Sequence, residues 1–171
     1  DKGVYDFVEA AKILSKRKVP IKFKLVGFVD EDNLSSVSQR ELEVWKKEKL
    51  IDAPGYQTDI AAQYTASNLV CLPSYREGLP KALIEAAACG RAVVTTDVPG
   101  CRHAIKPGVT GLLVPAKDPI ALANAIQFLY ENTKVRKEMG RLGRKLAEIE
   151  FSDEKIIAEH INIYRNIRKM I

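Results

Sequence analysis

The sequence predicts an α/β domain in which a parallel sheet is covered by helices on both faces, a Rossmann-like three-layer α/β/α sandwich. Three observations carry this. Short strand-type runs alternate with longer segments of helical periodicity from one end to the other. Val70–Leu72 is a short apolar run and Ala92–Thr96 is rich in β-branched residues, as strands are. Turn residues follow both runs, with Pro73, Gly78 and Pro80 after the first and Asp97-Val98-Pro99-Gly100 after the second. At 171 residues the chain is long enough for one domain, residues 1–171, with a sizeable core.

The elements follow in order. Val4 to Arg17 reads as an amphipathic helix, with Val4, Phe7, Val8, Ala11 and Leu14 at helical spacing and Pro20 beyond its end. Ile21 to Val26 reads as a strand closed by Gly27, and residues 30–36 as a polar loop. Ser38 to Leu50 is a second helix, with Leu42, Trp45 and Lys49 on one side and Trp45 placed in the core. Leu50 to Tyr56 is a short, proline-interrupted strand and turn. Thr58 is the expected N-cap of a helix through Ala66, and Asn68 to Leu72 is the next strand. Pro80 suits the first position of the following helix, which Gly90 caps. After strand Ala92–Thr96 comes a turn over Asp97–Gly100. Pro107–Gly111 is a further turn and Leu112–Val114 a short strand. Asp118 with Pro119 opens a helix striped by Leu122, Ile126 and Leu129. Arg136–Glu148 is a helix with basic residues on its exposed face. Ser152 caps the last helix, with Phe151 and Ile156 as a hydrophobic staple and Ile157, Ile161, Tyr164 and Ile167 along one face.

Composition removes several functions. The chain is 46% hydrophobic and 29% charged, as soluble globular proteins are, and no apolar run is long enough to span a bilayer. The three cysteines, Cys71, Cys89 and Cys101, have no metal-type spacing, and only two histidines are present, so no metal site is expected. Reduced thiols in a cytoplasmic setting are the simplest account of them. The net charge of +5 is spread over mixed signs, with no basic block and no aromatic interleaving. That excludes nucleic acid as the expected partner and leaves a weak attraction to phosphates or an anionic membrane surface. The dinucleotide G-x-G-x-x-G, the P-loop and the G-x-S-x-G elbow are all missing.

The stretch Cys71–Gly90, CLPSYREGLPKALIEAAACG, concentrates the chemistry. A helix opening after Gly78 and Leu79 presents unpaired N–H groups and the positive end of its dipole, and Gly78 lets a ligand approach. A phosphate or diphosphate fits there. Glu77 lies in the turn at the strand's carboxyl end, where ligands of open α/β sheets bind. Glu85 lies on a helix otherwise too apolar to face solvent, so a buried carboxylate in need of donors is expected.

The string EGLPKALIE, with LPSYREG before it and EAAACGRAVVTTDVPGCR after it, resembles the E-x7-E motif and flanks of the retaining, GT-B-fold glycosyltransferases of family 4, group 1. The resemblance covers nearly the whole chain and implies the C-terminal, donor-binding half of a GT-B fold. It implies an enzyme that moves a sugar from a nucleotide diphosphate sugar, a UDP-sugar foremost, to an acceptor hydroxyl. It gives Glu77 the donor sugar's hydroxyls and Glu85 the ribose. Lys2, followed by Gly3, matches the lysine that grips the diphosphate, beside an arginine on an upstream strand. Catalytic roles thus fall on Glu77 and Lys2, and donor-binding roles on Glu85, Gly78, Leu79, Tyr56 and Gln57, the last two beside the nucleobase. No cofactor, protein nucleophile or obligatory metal is implied. An N-terminal acceptor domain is implied outside this chain, onto which the final helix crosses back. It would bring a glycan or lipid-linked acceptor, in surface polysaccharide or glycolipid synthesis, in the cytoplasm or at the inner face of the membrane. The unusual opening Asp1-Lys2-Gly3, without an initiator Met, agrees with such a division. Two alternatives stand beside this reading. One is another GT-B enzyme, a nucleotide-sugar epimerase or a phosphorylase. The other is an isolated nucleotide-binding module without activity.

Overall fold

The computed structural model describes residues 1–30 and 36–168, so most of the loop expected over 30–36 lies outside the described residues. In chain order the elements are α1 (Val4–Lys16), β1 (Lys24–Val26), α2 (Gln39–Lys47), β2 (Asp52–Gly55), α3 (Ile60–Ala66), β3 (Leu69–Leu72), α4 (Lys81–Ala88), β4 (Ala92–Thr96), α5 (Pro99–Ala104), β5 (Gly111–Val114), α6 (Pro119–Glu131), α7 (Thr133–Glu150) and α8 (Asp153–Arg168).

All the strand pairs are parallel, as the alternation of elements requires. They form two sheets rather than the single one expected, β1-β2 and β3-β4-β5. A groove of about 1640 Å³ runs between β1 and β3, lined by Phe23, Leu25 and Val26 on one side and by Leu69 and Cys71 on the other.

Strand alternation divides the interior into two cores. Ala92 and Val94 of β4, Leu69 and Cys71 of β3 and Val114 of β5 face α1 and α6. Val93, Val70, Leu72 and Leu113 face α4 and α5. β4 is buried along its whole length because both of its faces are covered. On the first face Leu14, Leu122, Ile126 and Leu129 are buried, as the stripe of α6 predicts, and Trp45 is buried with them.

Several caps follow the sequence. Asp118 accepts from Ala121 N at 2.8 Å and Ser152 from Lys155 N at 3.3 Å, whereas Ser38, expected as the first residue of its helix, is instead the N-cap and closes a capping box with Glu41. Gly90 takes φ 67 after α4. Its N–H bonds Ala87 O at 2.8 Å while Arg91 N bonds Ala86 O at 2.9 Å, the two bonds of a Schellman ending. Other boundaries move. Asp59, not Thr58, caps α3, because its carboxylate reaches Ala62 N at 2.8 Å. Pro80 is the N-cap of α4 rather than its first helical residue, with an extended ψ of 109. α2 ends at Lys47, short of Leu50, and α7 runs from Thr133 to Glu150, longer than Arg136–Glu148. The turn expected over Asp97–Gly100 instead opens the short helix α5, with Pro99 at its start. Ile156, Ile157, Ile161, Tyr164 and Ile167 of α8 are exposed. Among the described residues no helix is long and apolar enough to cross a membrane.

α4 and α7 meet through glycine. A Cβ on Gly140 would overlap the carbonyl oxygen of Gly90. Alanine normally favours a helix interior over glycine by about 1 kcal/mol. Here the clash is with backbone, so Gly140→Ala is expected to destabilise the domain by about 1–3 kcal/mol in chemical denaturation. A gain in stability would refute the close approach.

Candidate functional site

β3 runs out at the carboxyl edge of its sheet, and the turn that follows is held from three sides. From β4, Thr95 Oγ1 donates to Leu72 O at 2.7 Å, and Thr96 Oγ1 donates to Ser74 O. Both threonines are buried. From α5, Gly100 presses on the turn so closely that a Cβ there would overlap the carbonyl oxygens of Glu77 and Gly78. From the first residues, Asp1 O accepts the N–H of Tyr75 at 2.9 Å.

This last contact brings Lys2 to the site. Gly3 takes φ 69 beside Pro73, where a Cβ would overlap the proline carbonyl. Gly3 O then accepts the N–H of Phe7 at 3.0 Å, starting α1. Lys2 is laid across the strand end, and its Nζ lies 2.6 Å from Glu77 Oε1. The Glu77 side chain is 9% exposed and that of Lys2 64%. The two residues, far apart in sequence, therefore form one ion pair.

The start of α4 has no side-chain cap. Its first N–H to reach a backbone carbonyl is that of Leu83, which bonds Pro80 O at 3.1 Å. Among the described residues the amides of Gly78, Leu79, Lys81 and Ala82 have no acceptor. Gly78 is exposed, and a Cβ there would meet nothing within 4 Å. Leu79 and Lys81 are exposed too. Free amides, the dipole of α4 and the nearby cation of Lys2 together make a seat for an anion.

Glu85 departs from expectation. α4 turns Leu83, Ala86 and Ala87 into the core, and Glu85 projects to the exposed side. It is not a buried carboxylate. Its Oε2 accepts the hydroxyl of Tyr64 at 3.1 Å. Burial first, and the Glu85 carboxylate second, hold the Tyr64 phenol far above its ordinary range, so it stays protonated and donates.

Tyr56 and Gln57 follow β2. Tyr56 is 68% exposed and meets Phe28, 75% exposed, edge-on at 6.3 Å between ring centroids. Gln57 Nε2 donates to Tyr56 O at 3.0 Å, and its Oε1 accepts from Gln63 Nε2 at 3.3 Å. Gln63 and Tyr64 are neighbours on α3, so α3 links the end of β2 to Glu85.

On α5, Gly100 and Cys101 are buried and offer no surface to a ligand, while His103 is exposed. Arg102 is exposed and paired with Asp97. Among the described residues no three His, Cys, Asp or Glu side chains gather to hold a metal ion. Two residues matter beyond the sequence reading. Tyr64 lies 21 positions before Glu85, and no local pattern couples them. Gly100 falls within a recognisable turn sequence, yet its packing against Gly78 is a purely tertiary contact.

The family model described as "Glycosyl transferases group 1" matches residues 1–146. An N,N'-diacetylbacillosaminyl-diphospho-undecaprenol alpha-1,3-N-acetylgalactosaminyltransferase of Campylobacter jejuni is 33% identical over 99% of this chain and 43% of its own length. Sucrose-phosphate synthase from Thermosynechococcus elongatus superposes with a TM-score of 0.85 at 30% identity, over 99% of this chain and 43% of that one. Anabaena Alr3699/HepE, solved in complex with UDP, superposes with a TM-score of 0.83 at 25% identity, over 94% of this chain and 45% of that one. The chain thus spans less than half the length of each of these proteins.

The contact at Gly100 makes a checkable demand. Gly100→Ala is expected to lower stability by about 1–3 kcal/mol and to displace the turn over Glu77 and Gly78 in a crystal structure. An unmoved turn at unchanged stability would show that α5 does not support it.

Proposed function

The chain belongs to the group 1 glycosyl transferases, and from that premise we propose that it is the donor-binding half of a retaining, family 4 enzyme of the GT-B fold. That enzyme moves a sugar from a nucleotide diphosphate sugar to an acceptor hydroxyl. The observation that carries the reading is the Lys2–Glu77 pair, set beside the unpaired amides of Gly78, Leu79, Lys81 and Ala82.

The diphosphate lies against those amides. Lys2 is the exposed partner and Glu77 the largely buried one, so the ammonium turns to the incoming diphosphate as the donor sugar's hydroxyls take its place at Glu77. Glu77, released, accepts hydroxyls of the donor sugar. Glu85 accepts ribose hydroxyls, with Tyr56 and Gln57 beside the nucleobase. In the reaction the bond from the anomeric carbon to the diphosphate oxygen breaks. The acceptor oxygen forms the new bond on the same face and passes its proton to the departing diphosphate oxygen, which leaves as nucleoside diphosphate. Charge grows on the departing diphosphate, where Lys2 and the amides stabilise it. The site needs no cofactor beyond the donor.

The UDP bound in HepE supports a UDP-sugar as donor. The lipid-linked acceptor in the name of the Campylobacter relative supports a lipid-linked or growing surface glycan as acceptor. An acceptor of that kind would place the work in the cytoplasm, at the inner membrane face, where the net charge of +5 favours an anionic surface. The acceptor is brought by a preceding domain. The groove between β1 and β3, two strand edges with no partner between them among the described residues, supports a further strand from that part of the chain completing one sheet. Without it the domain binds donor but does not turn over.

Isothermal titration with UDP, GDP and ADP, free and sugar-linked, tests the donor. UDP compounds are expected to bind most tightly, and absence of all nucleotide binding would refute the reading. Glu85→Gln is expected to weaken UDP binding by about 1–3 kcal/mol, the loss of a charged hydrogen-bond partner. Glu77→Ala is expected to abolish most turnover of the full-length enzyme while sparing free UDP. An equal loss in both would remove the sugar-orienting role.

A further inference from the structure

Resting on the ribose role of Glu85, we propose that Tyr64 is a positioning residue that presets this carboxylate for the ribose. An exposed glutamate on a helix surface samples several rotamers, and a ligand must fix one of them before gaining a good hydrogen bond. At Glu85 one oxygen is already held. Tyr64 donates from α3 to Oε2 at 3.1 Å, and Oε1 is left available. Tyr64 is itself anchored, since it packs against the core that contains Leu83 and Ala86 of α4. The next residue back, Gln63, is bonded to Gln57 at the end of β2 and accepts from Lys24 Nζ at 3.4 Å. The hydroxyl thus stands on a helix braced from two sides.

The arrangement has a further chemical consequence. A phenol in this setting donates and keeps its proton, so the carboxylate stays an acceptor toward any second partner. Paired ribose hydroxyls are donors of the right reach for the remaining oxygen. Tyr64 does not touch the ligand. It acts by holding Glu85 in one place before the ligand arrives, which reduces the ordering cost of binding.

The test compares UDP with 2′,3′-dideoxyuridine diphosphate in the full-length enzyme, by calorimetry on wild type, Tyr64→Phe, Glu85→Gln and the double variant. Wild type is expected to prefer UDP. In Tyr64→Phe the affinity for UDP falls about three- to tenfold, the worth of one ordinary hydrogen bond, while that for the dideoxy compound stays put. In the Glu85→Gln background Tyr64→Phe has little further effect. Equal weakening of both compounds, as a merely structural role would give, overturns the proposal, and so does an unchanged preference for UDP. If Tyr64→Phe lowers the melting temperature, the double variant decides, since losses that simply multiply overturn coupling through Glu85. A wild type that does not distinguish the two compounds would instead refute the ribose role of Glu85 itself.

Discussion

Gly100 lies so close to the carbonyl oxygens of Glu77 and Gly78 that no side chain fits between them. The turn after β3 therefore rests on the backbone of α5, while Thr95 and Thr96 tie its entry to β4 from below. A turn held in this way can leave its own amides unpaired. Among the described residues nothing accepts the N–H groups of Gly78, Leu79, Lys81 and Ala82, because support comes from behind, through sterics and carbonyls, and not from capping bonds. Had a serine or aspartate capped α4, that side chain would occupy the place proposed for the diphosphate.

The same economy governs the charges. Lys2 and Glu77 neutralise each other in the domain without ligand, which spares the largely buried carboxylate a missing partner. The exposure of Lys2 lets its ammonium be replaced at Glu77 by other donors. Glu85 is satisfied differently, by a neutral phenol, so it brings its full charge to whatever donors it meets. Two acids eight positions apart thus have distinct electrostatic settings, one met by an exposed cation and one by the dipole of a hydroxyl.

The architecture that carries these groups is a sheet with two cores. β3, β4 and β5 alternate their side chains between α1 with α6 on one face and α4 with α5 on the other. Burial on both faces fixes strand register, since a slip of one residue would exchange the two cores. The carboxyl ends of the strands are thereby held in line, and the turns that leave them share one edge.

Much of this was legible in the residues. The alternation of strands and helices determined the parallel α/β fold, because apolar runs and helical stripes each demand a covered face. Asp118 with Pro119, Ser152 and Gly90 set element ends through local hydrogen bonds that need only neighbours in sequence. EGLPKALIE marked the candidate site, because turn residues, a helix start and two acids lie within one short string. Tertiary structure alone decided the rest. Glu85 faces outward because α4 spends its apolar side on Leu83, Ala86 and Ala87, and the helix's low polarity could not reveal which side Glu85 took. The Lys2–Glu77 pair, the Tyr64 hydroxyl on Glu85 and the seat of Gly100 each join segments with no shared local pattern, so only the folded chain could bring them into contact.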